Sequence, residues 1–276
     1  MKLCMNEMTT AKQGGLIEHI ETCARHGISC MEIRKDSLQE YLRQGGSLEE
    51  LKEAFVRCGV SPVCLNSIES ITFNNKRGMR VLTEMCEYLF YYCRAIGCGC
   101  IEVIASFKAP TEDEAEIHAE TVKALRQLSD TAKPYGIRLA LEYMGVPASS
   151  VKTFDQALAI VNEVDRDNVG LLLDTWHHYA GGSGTEDILK ADRGQIFMVH
   201  TSDCPEHAPL EALRPESFMP GDGVVEIGAM LKNLKKIGYG GPVSVEVMAP
   251  ELQALPTDRL LELAKCSTLP LLAAVN

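Results

Sequence analysis

Apolar positions along the chain follow two alternating rhythms. Short runs rich in Val, Ile, Leu and Cys occupy residues 2–6, 28–34, 62–67, 100–106, 137–144, 169–175, 196–202 and 242–248, each of the length expected for a buried strand. Between them lie segments of helical period, among them 79–96, 112–135, 154–164 and 227–237. Several helical stretches run up to a glycine (Gly27, Gly59, Gly97, Gly136, Gly238), as helices commonly do. Strict alternation of strand and helix predicts a parallel sheet with helices outside it. Eight such units predict an α/β fold of the (β/α)8 TIM-barrel type, as a single domain over residues 1–276. A doubly wound open sheet is the competitor, but it usually carries a glycine-rich phosphate turn after its first strand, and Asn6-Glu7-Met8-Thr9-Thr10 holds no glycine.

Side chains of a barrel strand alternate between the lumen and the helix layer, so parity assigns faces. In the eighth strand Val243, Val245 and Val247 suit the helix layer, which leaves Ser244 and Glu246 for the lumen. In the fifth, Leu139, Leu141 and Tyr143 form the outer set, with Ala140 and Glu142 inside. The seventh strand puts Met198 with His200, and the sixth puts Leu172 with Asp174, although the apolar run of the sixth does not by itself fix which face is inward. All four polar residues fall near the C-terminal ends of their strands, the rim where barrel enzymes carry their chemistry. Three carboxylates converging there repel one another and are costly to desolvate unless a cation sits among them. A divalent ion readily accepts three carboxylates and an imidazole. One divalent metal ion (Mn, Zn, Co or Mg) bound by Glu142, Asp174, His200 and Glu246 is therefore the expected cofactor. Any one of these residues alone reads as a helix cap or a surface partner; four in matching register read as a ligand set. His177, three residues past Asp174, is placed to bond a substrate hydroxyl. Trp176, the only tryptophan, suits either an apolar pocket wall or plain packing. Arg34 and Lys108, near strand ends, are further candidates for substrate contact, although solvated salt bridges are the commoner fate of such residues.

Composition narrows the partners. The chain has 27 basic against 38 acidic residues, a net charge of −11, which disfavours a nucleic-acid partner. No apolar run reaches the roughly 18 residues of a membrane helix, and residues 1–10 lack a signal-peptide pattern, so no membrane association and a cytoplasmic location are expected. The eleven cysteines are scattered without C-x-x-C spacing. That argues against a zinc ribbon or a disulfide framework and for reduced thiols packed as small hydrophobes. The stretch 203–222, with Pro205, Pro209, Pro215 and Pro220, follows the seventh strand on the catalytic side and reads equally as a lid or as a rigid connector.

The four-residue set, the opening Met1-Lys2-Leu3-Cys4-Met5-Asn6-Glu7, Glu32-Ile33-Arg34, Arg166-Asp167-Asn168-Val169-Gly170-Leu171 and Val243-Ser244-Val245-Glu246 resemble the xylose isomerase-like barrel superfamily. The resemblance lies with its sugar isomerase and epimerase branch and spans essentially the whole chain. It implies that Glu142, Asp174, His200 and Glu246 bind one divalent ion. It further implies an isomerase that moves a carbonyl between adjacent carbons of an inosose-type polyol ketone or a ketose, by proton transfer through an enediolate. Glu142 and Glu246 would be the catalytic carboxylates, one removing the carbon proton and the other returning it. Epimerisation or dehydration would use the same groups. Ketose 3-epimerases of this branch carry an arginine six residues after the ligand histidine, where this chain has Glu206. The stretch Pro220-Gly221-Asp222-Gly223 matches the branch's Pro-Gly-x-Gly, but Glu226 stands where an aspartate is usual. Metal-dependent phosphodiester cleavage would need a metal cluster and more rim histidines than His177, His178, His200 and His207. A non-catalytic sugar-binding barrel is the remaining alternative.

Overall fold

In the computed structural model, which describes residues 1–10, 12–206 and 216–275, parallel strands pair in chain order and the last pairs with the first. They are β1 (Lys2–Asn6), β2 (Cys30–Arg34), β3 (Ser61–Ile68), β4 (Cys100–Ile104), β5 (Arg138–Glu142), β6 (Val169–Asp174), β7 (Ile196–Thr201) and β8 (Pro242–Val245). This is the expected (β/α)8 barrel. Closure removes both sheet edges, so no strand is left with an unpaired ladder.

The helix layer begins with α1 (Glu7–Thr10) and α2 (Leu16–Arg25) after β1, then α3 (Lys35–Arg43) and α4 (Leu48–Cys58) after β2. The next three crossovers carry α5 (Lys76–Ile96), α6 (Glu114–Ala132) and α7 (Phe154–Val164). Beyond β6 come only the short α8 (Thr175–Ala180) and a 3-10 segment, Thr185–Lys190; α9 (Ile227–Lys236) follows β7, and α10 (Pro250–Gln253) and α11 (Thr257–Ala273) follow β8. Capping boxes start α4 (Ser47 with Glu50) and α7 (Thr153 with Gln156), and Gly59 and Gly97 end α4 and α5 in the left-handed region, as the sequence pattern implies. The C-terminal end of α8 is closely packed. A Cβ on Gly145 would lie 2.2 Å from the His177 carbonyl oxygen and 2.3 Å from the Gly181 nitrogen, so the segment after β5 packs directly on the C-terminal end of α8.

Six strands are shorter than the apolar runs that announce them. The runs at 28–34, 137–144 and 242–248 pair only over Cys30–Arg34, Arg138–Glu142 and Pro242–Val245. After β5 and β8 the backbone leaves the ladder at the rim while its side chains stay inside: Tyr143 and Val247 are fully buried. Hydrophobic patterning reports burial, and burial outlasts pairing at these ends.

The core has two parts. A large cluster fills the space between sheet and helices. A second cluster, Cys4, Cys30, Cys64, Cys100, Ala140, Leu172 and Met198, packs inside the barrel as its floor, and the buried Ser244, paired in register with Cys4, completes it on β8. All the cysteines are free, and nine of them are buried. Burial raises the thiols of Cys4 and Cys64 well above their usual pKa, so they pack as neutral groups. No helix among the described residues is long and apolar enough to cross a membrane.

Candidate metal centre

Two residues along the chain from each floor side chain, and therefore on the same face of the strand, stands a polar group. Around the barrel these are Asn6, Glu32, Asn66, Glu102, Glu142, Asp174, His200 and Glu246. Each is at least 93% buried, since the most exposed, Asn66, reaches only 7%.

On the half contributed by β5 to β8, Glu142, Asp174, His200 and Glu246 each offer a donor atom, and these atoms lie within 4.8 Å of one another. The Nδ1 atom of His200 is 3.4 Å from Glu246 Oε2, 3.6 Å from Glu142 Oε1 and 4.0 Å from Asp174 Oδ2. Ligand bonds of about 2.1 Å put neighbouring donors of a tetrahedral ion about 3.4 Å apart. The spacing therefore suits atoms sharing a centre better than atoms hydrogen-bonded to one another. Among the described residues Nδ1 finds no hydrogen-bond partner. Nε2, on the far side of the ring, lies 3.0 and 2.9 Å from the two oxygens of Glu32. Glu32 thus draws the ring proton to Nε2 and turns the Nδ1 lone pair toward the three carboxylates, the orientation a metal-bound imidazole requires. The donor set fits a divalent cation.

Electrostatics leads to the same place. Burial opposes protonation of His200, but the charges of Glu32 and Glu246 outweigh it and hold the imidazole pKa well above its ordinary value. A dication among these carboxylates competes with that second proton for Nδ1. Burial, reinforced by the charge of Glu142, pushes the Glu102 carboxyl well above the usual carboxylate range and favours its neutral form.

Asp174 uses its two oxygens differently. Oδ1 accepts the His177 backbone N–H at 2.9 Å and caps α8, while Oδ2 faces His200. Trp176 and His177 are fully buried on α8, their rings edge to face with centroids 5.1 Å apart. The helix is further held by His178, which accepts the Tyr143 hydroxyl at Nδ1 (2.6 Å) and donates from Nε2 to the Gly184 carbonyl (2.8 Å). Arg34 follows Glu32 on the same strand face, but its guanidinium pairs with Asp36 at 3.2 Å. Lys108 is exposed, and its backbone N–H bonds the Ala148 carbonyl at 2.7 Å. The stretch after β7 is tied at both flanks by Asp203. Its Oδ1 accepts the N–H groups of Cys204 and Val225 at 2.9 Å each, and its Oδ2 accepts that of Gly221 at 3.0 Å. His207, Pro209 and Pro215, in the middle of the stretch that reads as a lid or as a connector, lie outside the described residues.

Parity applied only to β5 through β8 misses the other half of the ring. The signal is nevertheless present as a repeat, Cys4-Met5-Asn6, Cys30-Met31-Glu32, Cys64-Leu65-Asn66 and Cys100-Ile101-Glu102. Each of these strands carries a small floor residue followed two positions later by an amide or a carboxylate. Reading the cysteines only as packing residues hides it.

The sequence profile of the xylose isomerase-like TIM barrel family matches residues 20–265. The chain belongs to this family. Among xylose isomerase-like barrels it is 38% identical to the inosose isomerase of Bacillus velezensis, over 97% of this chain and 96% of that protein. It is 37% identical to the inosose isomerase of Bacillus subtilis with the same coverage. The crystal structure of the IolI protein with a binding zinc atom shares the fold with a TM-score of 0.95 at 34% identity, over 100% of this chain and 99% of that one.

Proposed function

We propose that this chain is a divalent-metal-dependent isomerase that moves a carbonyl between adjacent carbons of a small polyol ketone of the inosose type. The observation that carries the reading is the buried convergence of Glu142, Asp174 and Glu246 on the Nδ1 side of His200. The inosose isomerases at 37% and 38% identity support the substrate class, and the zinc of the IolI structure supports the cofactor.

A divalent ion held by these four side chains supplies Lewis-acid chemistry, withdrawing electron density from a substrate carbonyl and making the neighbouring C–H acidic. Glu142 closes β5 and Glu246 follows β8, so the two carboxylates enter the lumen from different sectors of the barrel. One takes the proton from the hydroxyl-bearing carbon, leaving an enediolate of the substrate, and the other delivers a proton to the former carbonyl carbon. The hydroxyl proton is passed to the old carbonyl oxygen in the same exchange, so the product is an isomer and no redox partner is consumed. His200, oriented by Glu32, and Asp174, anchored to α8, hold the ion. His177 bonds a substrate hydroxyl, Trp176 walls the pocket, and Arg34 lies at its edge.

The test is incubation with an inosose and Mn²⁺ in deuterium oxide. The reading expects a displaced carbonyl and one carbon-bound deuterium at the former carbonyl carbon. Protein with metal bound that shows neither exchange nor turnover overturns it. Deuterium at the original carbon, with the carbonyl unmoved, identifies an epimerase instead.

A further inference from the structure

The strands that contribute no member of the proposed ligand set still hold two of those ligands from behind. Oε1 of Glu246 accepts the Asn66 side-chain amide at 3.1 Å and the Asn6 amide at 3.2 Å. The other oxygen, Oε2, is the one that faces His200 Nδ1. The Asn6 amide can be oriented in only one way. Its Oδ1 accepts the Met8 backbone N–H at 2.8 Å, so its NH₂ group must face the lumen, where one hydrogen reaches Glu246 and the other reaches Glu32 Oε2 at 3.1 Å. Glu32 in turn receives the Nε2 proton of His200. One buried chain of hydrogen bonds therefore runs Asn66, Glu246, Asn6, Glu32, His200, crossing from β3 to β7 by way of the residue that follows β8 and residues of β1 and β2.

Resting on the metal reading above, we infer that Asn6 and Asn66 are positioning residues that pin one oxygen of Glu246 and leave the other as its single donor to the ion. A carboxylate is able to bind a cation through one oxygen or through both. Two N–H donors on Oε1 occupy the lone pairs that the second mode would need. Neutral amides suit this task. An apolar side chain in place of Asn6 would take one donor from each of two buried carboxylates, Glu246 and Glu32, and a lysine would neutralise a ligand and compete with the cation. Because Asn6 grips both Glu246 and Glu32, it couples the setting of a carboxylate ligand to that of the imidazole.

The experiment loads wild type, Asn66→Ala and Asn6→Ala with cobalt(II), whose visible absorption reports coordination number and geometry. It pairs the spectrum with cobalt affinity, thermal melting and kinetics on an inosose. Each variant is expected to show a weaker, shifted visible band and about tenfold lower cobalt affinity. The expected kinetic signature is a fall in kcat with KM nearly unchanged, the mark of a group that acts at the transition state. Should Asn66→Ala not fold, Asn66→Ser repeats the test, its hydroxyl being too short to span to Oε1. Variants that melt earlier but keep the wild-type cobalt spectrum and affinity overturn the inference and leave the amides a packing role. Wild-type protein that binds no cobalt overturns the metal reading itself, and this inference with it.

Discussion

The behaviour of the centre turns on single atoms. His200 has one nitrogen against Glu32 and the other toward Glu142, Asp174 and Glu246, so the side chain that decides the tautomer is Glu32 and not one of the proposed ligands. Replacing Glu32 by Gln keeps the shape and removes the negative charge that makes the ring a strong donor. Metal affinity is expected to fall about 10- to 100-fold, as for other partners of a ligating histidine. Equilibrium dialysis against a graded series of free Zn²⁺ measures it, and unchanged affinity would rule out an orienting role for Glu32. The four residues proposed as ligands could be grouped from the sequence because strand parity puts each near the same rim, although the apolar run of β6 alone does not say which of its faces is inward. Glu32 was readable by the same parity, but nothing in its own strand says which of the seven other strands its carboxylate will meet.

Elements convey these atomic settings outward. The turn after β1 is secured by Glu7, which is fully buried. Its Oε2 accepts the Arg34 backbone N–H at 2.8 Å, and its Oε1 lies 2.9 Å from Nδ1 of His19 on α2. Burial opposes the charged form of His19, but the hydrogen bond and charge of Glu7 outweigh it and raise its pKa. A raised folded-state pKa means that the native protein holds this proton more tightly than the unfolded chain does. The resulting stability is fully present below the unfolded value of about 6.5 and is lost as pH rises through the higher folded value. Urea unfolding from pH 6 to 9 should show this decline, and His19→Gln should flatten it. The same decline in the variant would assign it to another group. His19 lies in the helical stretch that runs up to Gly27, but a helical pattern cannot reveal that its ring turns inward onto Glu7, the residue after β1.

At the scale of the whole molecule, the barrel encloses five carboxyl groups, Glu32, Glu102, Glu142, Asp174 and Glu246, in one buried ring. Such a ring repels itself, and a bound dication relieves that repulsion in the folded state alone. Free metal at about a hundred times its Kd should therefore stabilise the protein by about 2.7 kcal/mol. Differential scanning calorimetry with and without a chelator is expected to show a higher Tm with metal, and identical melting would contradict a cation in the ring. The chain's local pattern by itself determined the alternation of strands and helices and which residues share a face on β5 to β8. These follow from backbone periodicity, which repeats every two residues in a strand and every 3.6 in a helix, so a short window contains them. Only the tertiary structure decided that Asn6 touches Glu246, 240 positions away, and that Glu32 orients His200, 168 positions away. Those meetings depend on the tilt and stagger with which the sheet closes, a property of all the strands together that no single one encodes.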